Sequence, residues 1–382
     1  MKVPKINKWL LGTLALVGVA SIASIAMADE SYVDLQNRLD AAEAKIASLT
    51  APSDLDVRRA EAMKVTVKDI LADADARAML QGDKNPVTVN VGGFVQTRYS
   101  YNGGGSDEAD HGFSLPRARL ILSGDIYSWS YKVSGQWDDV NNNFVLKDAY
   151  GQGKLFGDWT LRAGQFKTPF MREVLVNQTD TLMAERSIVS NQFGQGRSQG
   201  VQLSRDWGMF DFAGSYSDGF DTANGAGVQN GQAFTGRVGA DVLSWWNVGA
   251  AVSWNDMVAT SYTTYTIDTK VSKGNLDLTA AYVATSGDAG DNWGATVQAG
   301  YMCMDNFQGY VAYEYGELEG VTDNLSTFTI GANYWINENI KWTTDVGYAL
   351  NGINAAWDLG ETGWNSGDSG EYLIRTQLQF KF

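Results

Sequence analysis

An alternation of apolar and polar side chains with a period of two runs from Val87 to Phe382, and it constrains the fold more than any other feature of the chain. This period is typical of β-strands that have one apolar and one polar face. The pattern occurs in sixteen segments, and single-chain barrels of the bacterial outer membrane have an even number of strands. The predicted strands are 87–102, 113–125, 129–137, 143–154, 158–166, 198–205, 208–217, 232–243, 246–255, 261–272, 275–285, 292–303, 306–316, 325–336, 339–350 and 370–382.

The lengths of the connections between these segments favour a barrel that crosses a membrane. Most joins after odd-numbered strands are long, and the longest is 167–197, whereas joins after even-numbered strands are tight turns. Outer-membrane barrels have long loops outside and short turns in the periplasm. The alternative, a soluble β-sandwich, gives no reason for loop length to follow strand parity. We therefore predict an all-β fold, a sixteen-stranded antiparallel transmembrane β-barrel over 87–382.

The last strand shows the two faces that such a barrel needs. Its two sets of residues are Tyr372, Ile374, Thr376, Leu378, Phe380 and Phe382 on one face, and Arg375, Gln377, Gln379 and Lys381 on the other. An apolar face opposite a charged face is expected where one side of a strand contacts lipid and the other side lines an aqueous lumen.

The first 28 residues have the pattern of a secretory signal peptide. Three lysines precede an apolar run from Trp9 to Ile25, and Ala26-Met27-Ala28 supplies small residues at the cleavage position. A retained membrane anchor is the alternative, but such an anchor is usually longer. The sequence therefore predicts export and a mature chain that starts at Asp29.

Residues 29–86 are predicted to form a separate, periplasmic helical segment with a short coiled coil. Apolar residues from Tyr32 to Leu49 recur at spacings of three and four, which is the seam of a coiled coil. With fewer than three heptads the segment is too short to hold chains together alone, although a barrel oligomer would bring copies close. The alternative is a single amphipathic helix that lies on another surface.

Composition excludes several classes of function. Without the three leader lysines the mature chain has 26 basic and 44 acidic residues, a net charge of 26 − 44 = −18, so nucleic-acid binding is not expected. The single histidine, His111, and the single cysteine, Cys303, leave little for a zinc site or a nucleophile–imidazole pair. We therefore expect no enzyme activity, no catalytic residues, no metal and no cofactor. An outer-membrane hydrolase is the alternative, and it would depend on His111.

Five short segments occur in order between Ser114 and Gly219: Pro116–Leu120 (PRARL), Leu146–Tyr150 (LKDAY), Leu161–Phe170 (LRAGQFKTPF), Met183–Ser187 (MAERS) and Gly196–Leu203 (GRSQGVQL). As an ordered set they resemble the phosphate-selective porin O and P family. The resemblance implies a homotrimer of sixteen-stranded barrels in the outer membrane of a Gram-negative bacterium. It also implies a third outer loop folded into the lumen, and anion selectivity from inward arginines and lysines. The terminal Phe382 resembles the signal that the barrel assembly machinery reads.

The candidate pore-lining and anion-binding residues are basic and lie in the first half of the barrel. By strand parity Arg98, Arg117, Arg119, Lys132 and Arg162 face the lumen, while Lys167, Arg172, Arg186 and Arg197 lie on or beside the join 167–197. Guanidinium and ammonium groups are good partners for phosphate-like oxyanions. For each residue the alternative is a solvated lumen position or a partner for Asp125, Asp138 or Glu185. The apolar residues of the join, expected to pack on the inner wall, are Leu175, Val176, Leu182, Met183, Ile188 and Val189.

Charge is unevenly distributed between the halves of the barrel. Residues 87–205 contain 12 Lys/Arg and 11 Asp/Glu, whereas 206–382 contain 6 Lys/Arg and 21 Asp/Glu. The acidic second half predicts a general or mildly selective pore rather than a strongly phosphate-selective one. The predicted function is passive diffusion of small hydrophilic solutes or inorganic anions by a protein whose partners are outer-membrane lipid, two further copies and the assembly machinery. The alternative is a structural envelope protein that links the outer membrane to the cell wall.

Overall fold

The computed structural model describes residues 40–41, 87–104, 109–138, 143–225, 231–257, 260–365, 367 and 369–382. The predicted signal peptide, 1–28, and helical segment, 29–86, therefore lie outside the described residues, apart from Asp40 and Ala41, which are helical. Within the described ranges, no helix is long and apolar enough to span a membrane.

Sixteen antiparallel strands of the described chain close into a barrel, in which each strand pairs with its sequence neighbours and the first pairs with the last. The predicted number, order and direction of the strands are thus confirmed. The strands are β1 (Asn90–Gly103), β2 (Asp110–Ile126), β3 (Trp129–Asp138), β4 (Asn143–Phe156), β5 (Trp159–Lys167), β6 (Arg197–Trp207), β7 (Phe210–Ser217), β8 (Gln232–Leu243), β9 (Trp246–Met257), β10 (Thr260–Lys273), β11 (Leu276–Gly287), β12 (Asn292–Met304), β13 (Phe307–Glu317), β14 (Leu325–Asn337), β15 (Ile340–Ala349) and β16 (Tyr372–Lys381).

Connections differ strongly between the two ends of the barrel. Every join after an even-numbered strand consists of two residues, such as 127–128 between β2 and β3. Tyr127 and Gly157 have φ angles of 55° and 51° there, in the left-handed region that two-residue hairpins use. Joins after odd-numbered strands include 168–196 and 350–371, although 258–259 between β9 and β10 is also short. The parity of loop length is therefore present but not universal.

Side chains alternate between an apolar outer face and a polar inner face. On β16, Ile374 is 38% exposed whereas the adjacent Arg375 is 3% exposed. The same alternation along the other strands leaves large apolar side chains outside and buries glutamines, threonines and arginines inside. This arrangement is the reverse of a soluble protein and is typical of a barrel in lipid.

Two outer loops enter the lumen and form its apolar core. We call residues 168–196 the third outer loop and residues 350–371 the eighth outer loop. The third outer loop contains α1 (Arg172–Leu175), a 3-10 turn (Gln178–Asp180) and α2 (Ile188–Phe193). The buried residues of both loops pack together and on inward residues of the strands; they include Phe170, Ile188, Val189, Phe193, Ile353, Trp357, Trp364, Val283, Leu325 and Leu373.

A second compact unit contains, among described residues, the segments 87–92 and 124–127. In it Val87 and Ile126 form an antiparallel bridge, and the Thr88 amide donates to the Asp125 carbonyl at 2.9 Å.

Candidate functional site

The third outer loop is held inside the barrel by a buried ion cluster centred on Glu185. Its carboxylate accepts one contact from Arg98 at 2.8 Å and two from Arg117 at 2.7 Å. Burial alone would raise the pKa of Glu185, but Arg117 and Arg98 hold it well below its usual range. Arg98 and Arg117 therefore lie on the lumen side, as strand parity predicted. They are ion-pair partners of Glu185, which was the alternative to anion binding.

The same loop is anchored at two further places around the barrel wall. Arg172 of α1 contacts Asp268 of β10 at 2.6 Å, and Arg237 of β8 contacts the second oxygen of that carboxylate at 2.7 Å. Lys341 of β15 donates to the carbonyls of Thr179 and Thr181 at 3.1 and 3.0 Å. These contacts come from strands far apart around the barrel, so the loop crosses the lumen. Arg172 is thus an anchor of the loop.

The buried acids of the second half are engaged in comparable contacts. Asp345 accepts hydrogen bonds from Arg375 at 2.7 and 2.9 Å and from the Tyr310 hydroxyl at 2.9 Å. Glu314 accepts a hydrogen bond from the Val189 amide at 3.1 Å. The exposed acids Asp211 and Asp241 lie within a few residues of the short turns. The buried acids of this half are therefore engaged by hydrogen bonds or ion pairs, two exposed acids lie at the turn end of the lumen, and others, such as Glu317 and Glu319, lie at the outer-loop end.

Insertion of the eighth outer loop was not predicted. Arg375 donates to the Thr362 carbonyl at 2.8 Å, and Arg98 donates to the Glu361 carbonyl at 2.6 Å. Trp357 contacts Phe193 of the third outer loop edge-to-face, with ring centroids 6.2 Å apart. The sequence did contain a signal, because this join includes the large apolar residues Ile353, Trp357 and Trp364. Conversely, Val176, which was expected to pack on the inner wall, is 36% exposed.

The remaining candidate residues lie on strands β2 to β6, except Arg186, which lies on the third outer loop. We call them the basic strip: Arg119, Lys132, Arg162, Lys167, Arg186 and Arg197. All are partly exposed rather than buried. The structure thus brings together five of the eight residues of the predicted site, together with Arg197.

One acid, Asp148, is paired within the basic strip. It contacts Arg197 at 2.8 Å and Lys132 at 3.3 Å. Arg119 and Arg162 instead donate to the side chains of Gln136 and Gln152 at 3.1 and 2.9 Å. Neutral partners leave the charge of these two guanidinium groups uncompensated.

Lys167 and Arg186 are bound by peptide carbonyls. Lys167 donates to the carbonyls of Leu175 and Val176 at 3.2 and 2.9 Å, and Arg186 donates to those of Glu173 and Val176 at 3.0 and 2.7 Å. These carbonyls lie at the C-terminal end of α1, where helical carbonyls lack intrahelical partners. Within the part of the chain that the structure describes, neither cation forms an ion pair with a carboxylate.

The strip has a strong positive field although the chain is acidic. Six basic side chains lie in the strip with one acid paired within it, Asp148, and Arg186 also lies near Glu185 and Glu173 of the third outer loop. Arg119, Lys167, Arg186 and Arg197 are close enough to repel one another. Burial, with repulsion from Arg117 and Arg197, lowers the pKa of Arg186 to about 10, against attraction by Glu185, so it stays charged at neutral pH. A cleft lined by one sign of charge raises the local concentration of the opposite ion.

Residues 87–266, which carry the basic strip, match the family model described as phosphate-selective porin O and P. This part of the chain is similar to that family. The resemblance predicted from the five segments is therefore confirmed.

Solved porins share the fold at low sequence identity. The anion-selective porin from Comamonas acidovorans is 13% identical, with a TM-score of 0.59 over 78% of this chain and 100% of that chain. The trimer form of in-vitro folded OmpT of Vibrio cholerae is 13% identical, with a TM-score of 0.56 over 78% and 100%. OmpF of Salmonella typhi in complex with daunomycin is 14% identical, with a TM-score of 0.60 over 78% and 98%. No curated protein matches the chain in sequence at a significant level.

Family and fold together identify the chain as an outer-membrane porin. They indicate a channel rather than an enzyme, and they do not favour the alternative of a structural envelope protein. The selectivity of the channel depends on the geometry of the lumen.

Proposed function

We propose that this porin is a passive diffusion pore that prefers small anions, with oxyanions of the phosphate class among its solutes. One observation carries the proposal: the partly exposed basic strip brings six basic side chains together, with Asp148 as the acid paired within it. The two inserted loops pack on inward residues such as Val283, Leu325 and Leu373, while the side chains of the strip remain partly exposed. A permeating ion therefore meets a positive surface.

This proposal replaces the expectation of weak selectivity that came from counting charges. Asp268 and Asp345 are bound to arginines, and Glu314 is bound to the amide of Val189. A carboxylate paired with an arginine, as Asp268 and Asp345 are, adds little to the field in the lumen. Arginine and lysine side chains donate to oxyanions in geometries that suit phosphate.

Assembly and targeting are further parts of the proposal. The trimer form of a barrel of the same fold supports a homotrimer in outer-membrane lipid. The backbone of Phe382 exchanges two hydrogen bonds with Gly93, at 2.9 and 3.0 Å, which extend the β1–β16 pairing, and its aromatic side chain would be the feature that the assembly machinery recognises. Residues 1–28 would direct export. Residues 29–86 would lie in the periplasm because the start of β1 and the end of β16 are both on the side of the short turns.

Reversal-potential measurements on the full protein in a planar bilayer test the proposal. In a potassium chloride gradient we expect a reversal potential of the sign for anion preference, and added phosphate should reduce the chloride current because both anions use the strip. A cation-preferring pore that phosphate does not affect would refute the proposed selectivity.

A further inference from the structure

Glu361, on the eighth outer loop, points at the junction between the buried ion cluster and the lumen. Its Oε2 atom lies 3.1 Å from Nη2 of Arg117, the arginine that also binds Glu185. The Glu361 side chain is 33% exposed, whereas that of Glu185 is 2% exposed. Glu361 is therefore the most exposed residue of this cluster, although its Oε2 atom is buried against Arg117.

The two carboxylates on Arg117 are held very differently. Glu185 receives three arginine contacts of 2.7 to 2.8 Å. Glu361 Oε2 has no hydrogen bond from any described residue, and the single ion pair with Arg117 is its contact. A buried carboxylate oxygen without a hydrogen bond is costly. The Glu361 carboxylate is therefore held more weakly beside Arg117 than the Glu185 carboxylate is.

The backbone, rather than the ion pair, fixes the position of Glu361. Arg98 donates to the Glu361 carbonyl at 2.6 Å, and Arg375 donates to the carbonyl of the next residue, Thr362, at 2.8 Å. The carboxylate can therefore leave Arg117 without release of the loop. The charged groups that face it are Arg117, Glu185, Arg98 and Lys147.

We propose that Glu361 is an internal anion that competes with permeating anions for Arg117 and so limits how strongly the pore prefers anions. The inference rests on the proposed anion pathway. With Glu361 in place, Arg98 and Arg117 are balanced by two carboxylates. Without its charge the cluster has one excess positive charge beside the basic strip. An added unit charge at a few ångströms in a water-filled lumen corresponds to roughly a two- to fivefold change in the anion-to-cation permeability ratio.

The test compares reversal potentials of four full-length proteins in the same chloride gradient. Glu361→Gln keeps the shape of the side chain and removes its charge, and we expect the permeability ratio to rise about two- to fivefold. Glu361→Asp keeps the charge and should remain within the wild-type range. Asp358→Asn removes an exposed charge from the same loop and should also leave the ratio unchanged.

The outcomes separate this inference from the proposed function. A Glu361→Gln ratio equal to that of the wild type, or below it, would overturn the role of Glu361 even in an anion-preferring pore. A cation-preferring wild type whose ratio still moves towards anions in Glu361→Gln would refute the proposed function and support the role of Glu361. If Glu361→Gln fails to assemble, Glu361→Lys replaces it. It changes the charge by two units and should produce roughly the square of the effect, and a ratio equal to that of the wild type would again overturn the inference.

Discussion

Replacement of Glu185 by Gln should release the third outer loop from the lumen wall without unfolding the barrel. The substitution removes the charge that receives three arginine contacts of 2.7 to 2.8 Å and leaves Arg98 and Arg117 buried. Loss of one partner of a buried ion pair costs about 3–5 kcal/mol. Because Glu361 still compensates part of the Arg117 charge, we expect the lower end, about 3 kcal/mol, which is roughly a hundredfold increase in the open fraction of the loop.

Amide hydrogen exchange measured by mass spectrometry checks this prediction. The sixteen strand ladders do not depend on Glu185, so the change should appear as local opening rather than global unfolding. Amides of α2, such as that of Asn191, which donates to the Ser187 carbonyl at 3.1 Å, should exchange about a hundredfold faster. Asp180→Asn, an exposed change in the same loop, is the matched control. Equal exchange in Glu185→Gln and the wild type would refute the anchoring role.

Three further predictions concern selectivity, pH and the barrel wall. The double substitution Arg119→Gln and Arg162→Gln should lower the anion-to-cation permeability ratio about fourfold or more, measured as a reversal potential, and an unchanged ratio would count against the strip. Burial raises the pKa of Glu361, so its charge is lost as pH falls through that raised value, and anion preference should increase on acidification in the wild type but not in Glu361→Gln. Gly164→Ala should destabilise the barrel by about 1–3 kcal/mol in urea unfolding, because its φ is 127° and a Cβ would overlap a carbonyl oxygen of β4. Gly214→Ala, at a position with open space, should be neutral there.

The strands were predictable because their signal is local. Alternation with period two depends only on neighbouring residues, so it placed every strand within a few residues of its bounds, as with 87–102 for Asn90–Gly103. The third outer loop was predictable for a similar reason, since apolar residues such as Ile188 and Val189 are unsuited to an exposed loop.

The charge pairing of the lumen could not be predicted in this way. Arg98 and Glu361 are 263 positions apart, and Arg172 and Asp268 are 96 apart, so their contacts exist only once two loops fold across a closed barrel. A count of charges treats each acid as free. Ion pairs with arginines neutralise several acids of the lumen, whereas most residues of the basic strip have no carboxylate partner. The charge count therefore suggested weak selectivity, and the geometry supports a preference for anions.

Thiol accessibility provides the most direct test that the aqueous path runs along the basic strip. In a Cys303→Ser background, cysteine would replace either Lys132, whose side chain is 29% exposed, or Thr327, which is 1% exposed on the wall covered by the loops. A negatively charged methanethiosulfonate reagent should react with the cysteine at position 132 and reduce the single-channel current, and it should leave the cysteine at position 327 unmodified. Rapid modification at 327 with protection at 132 would contradict the account.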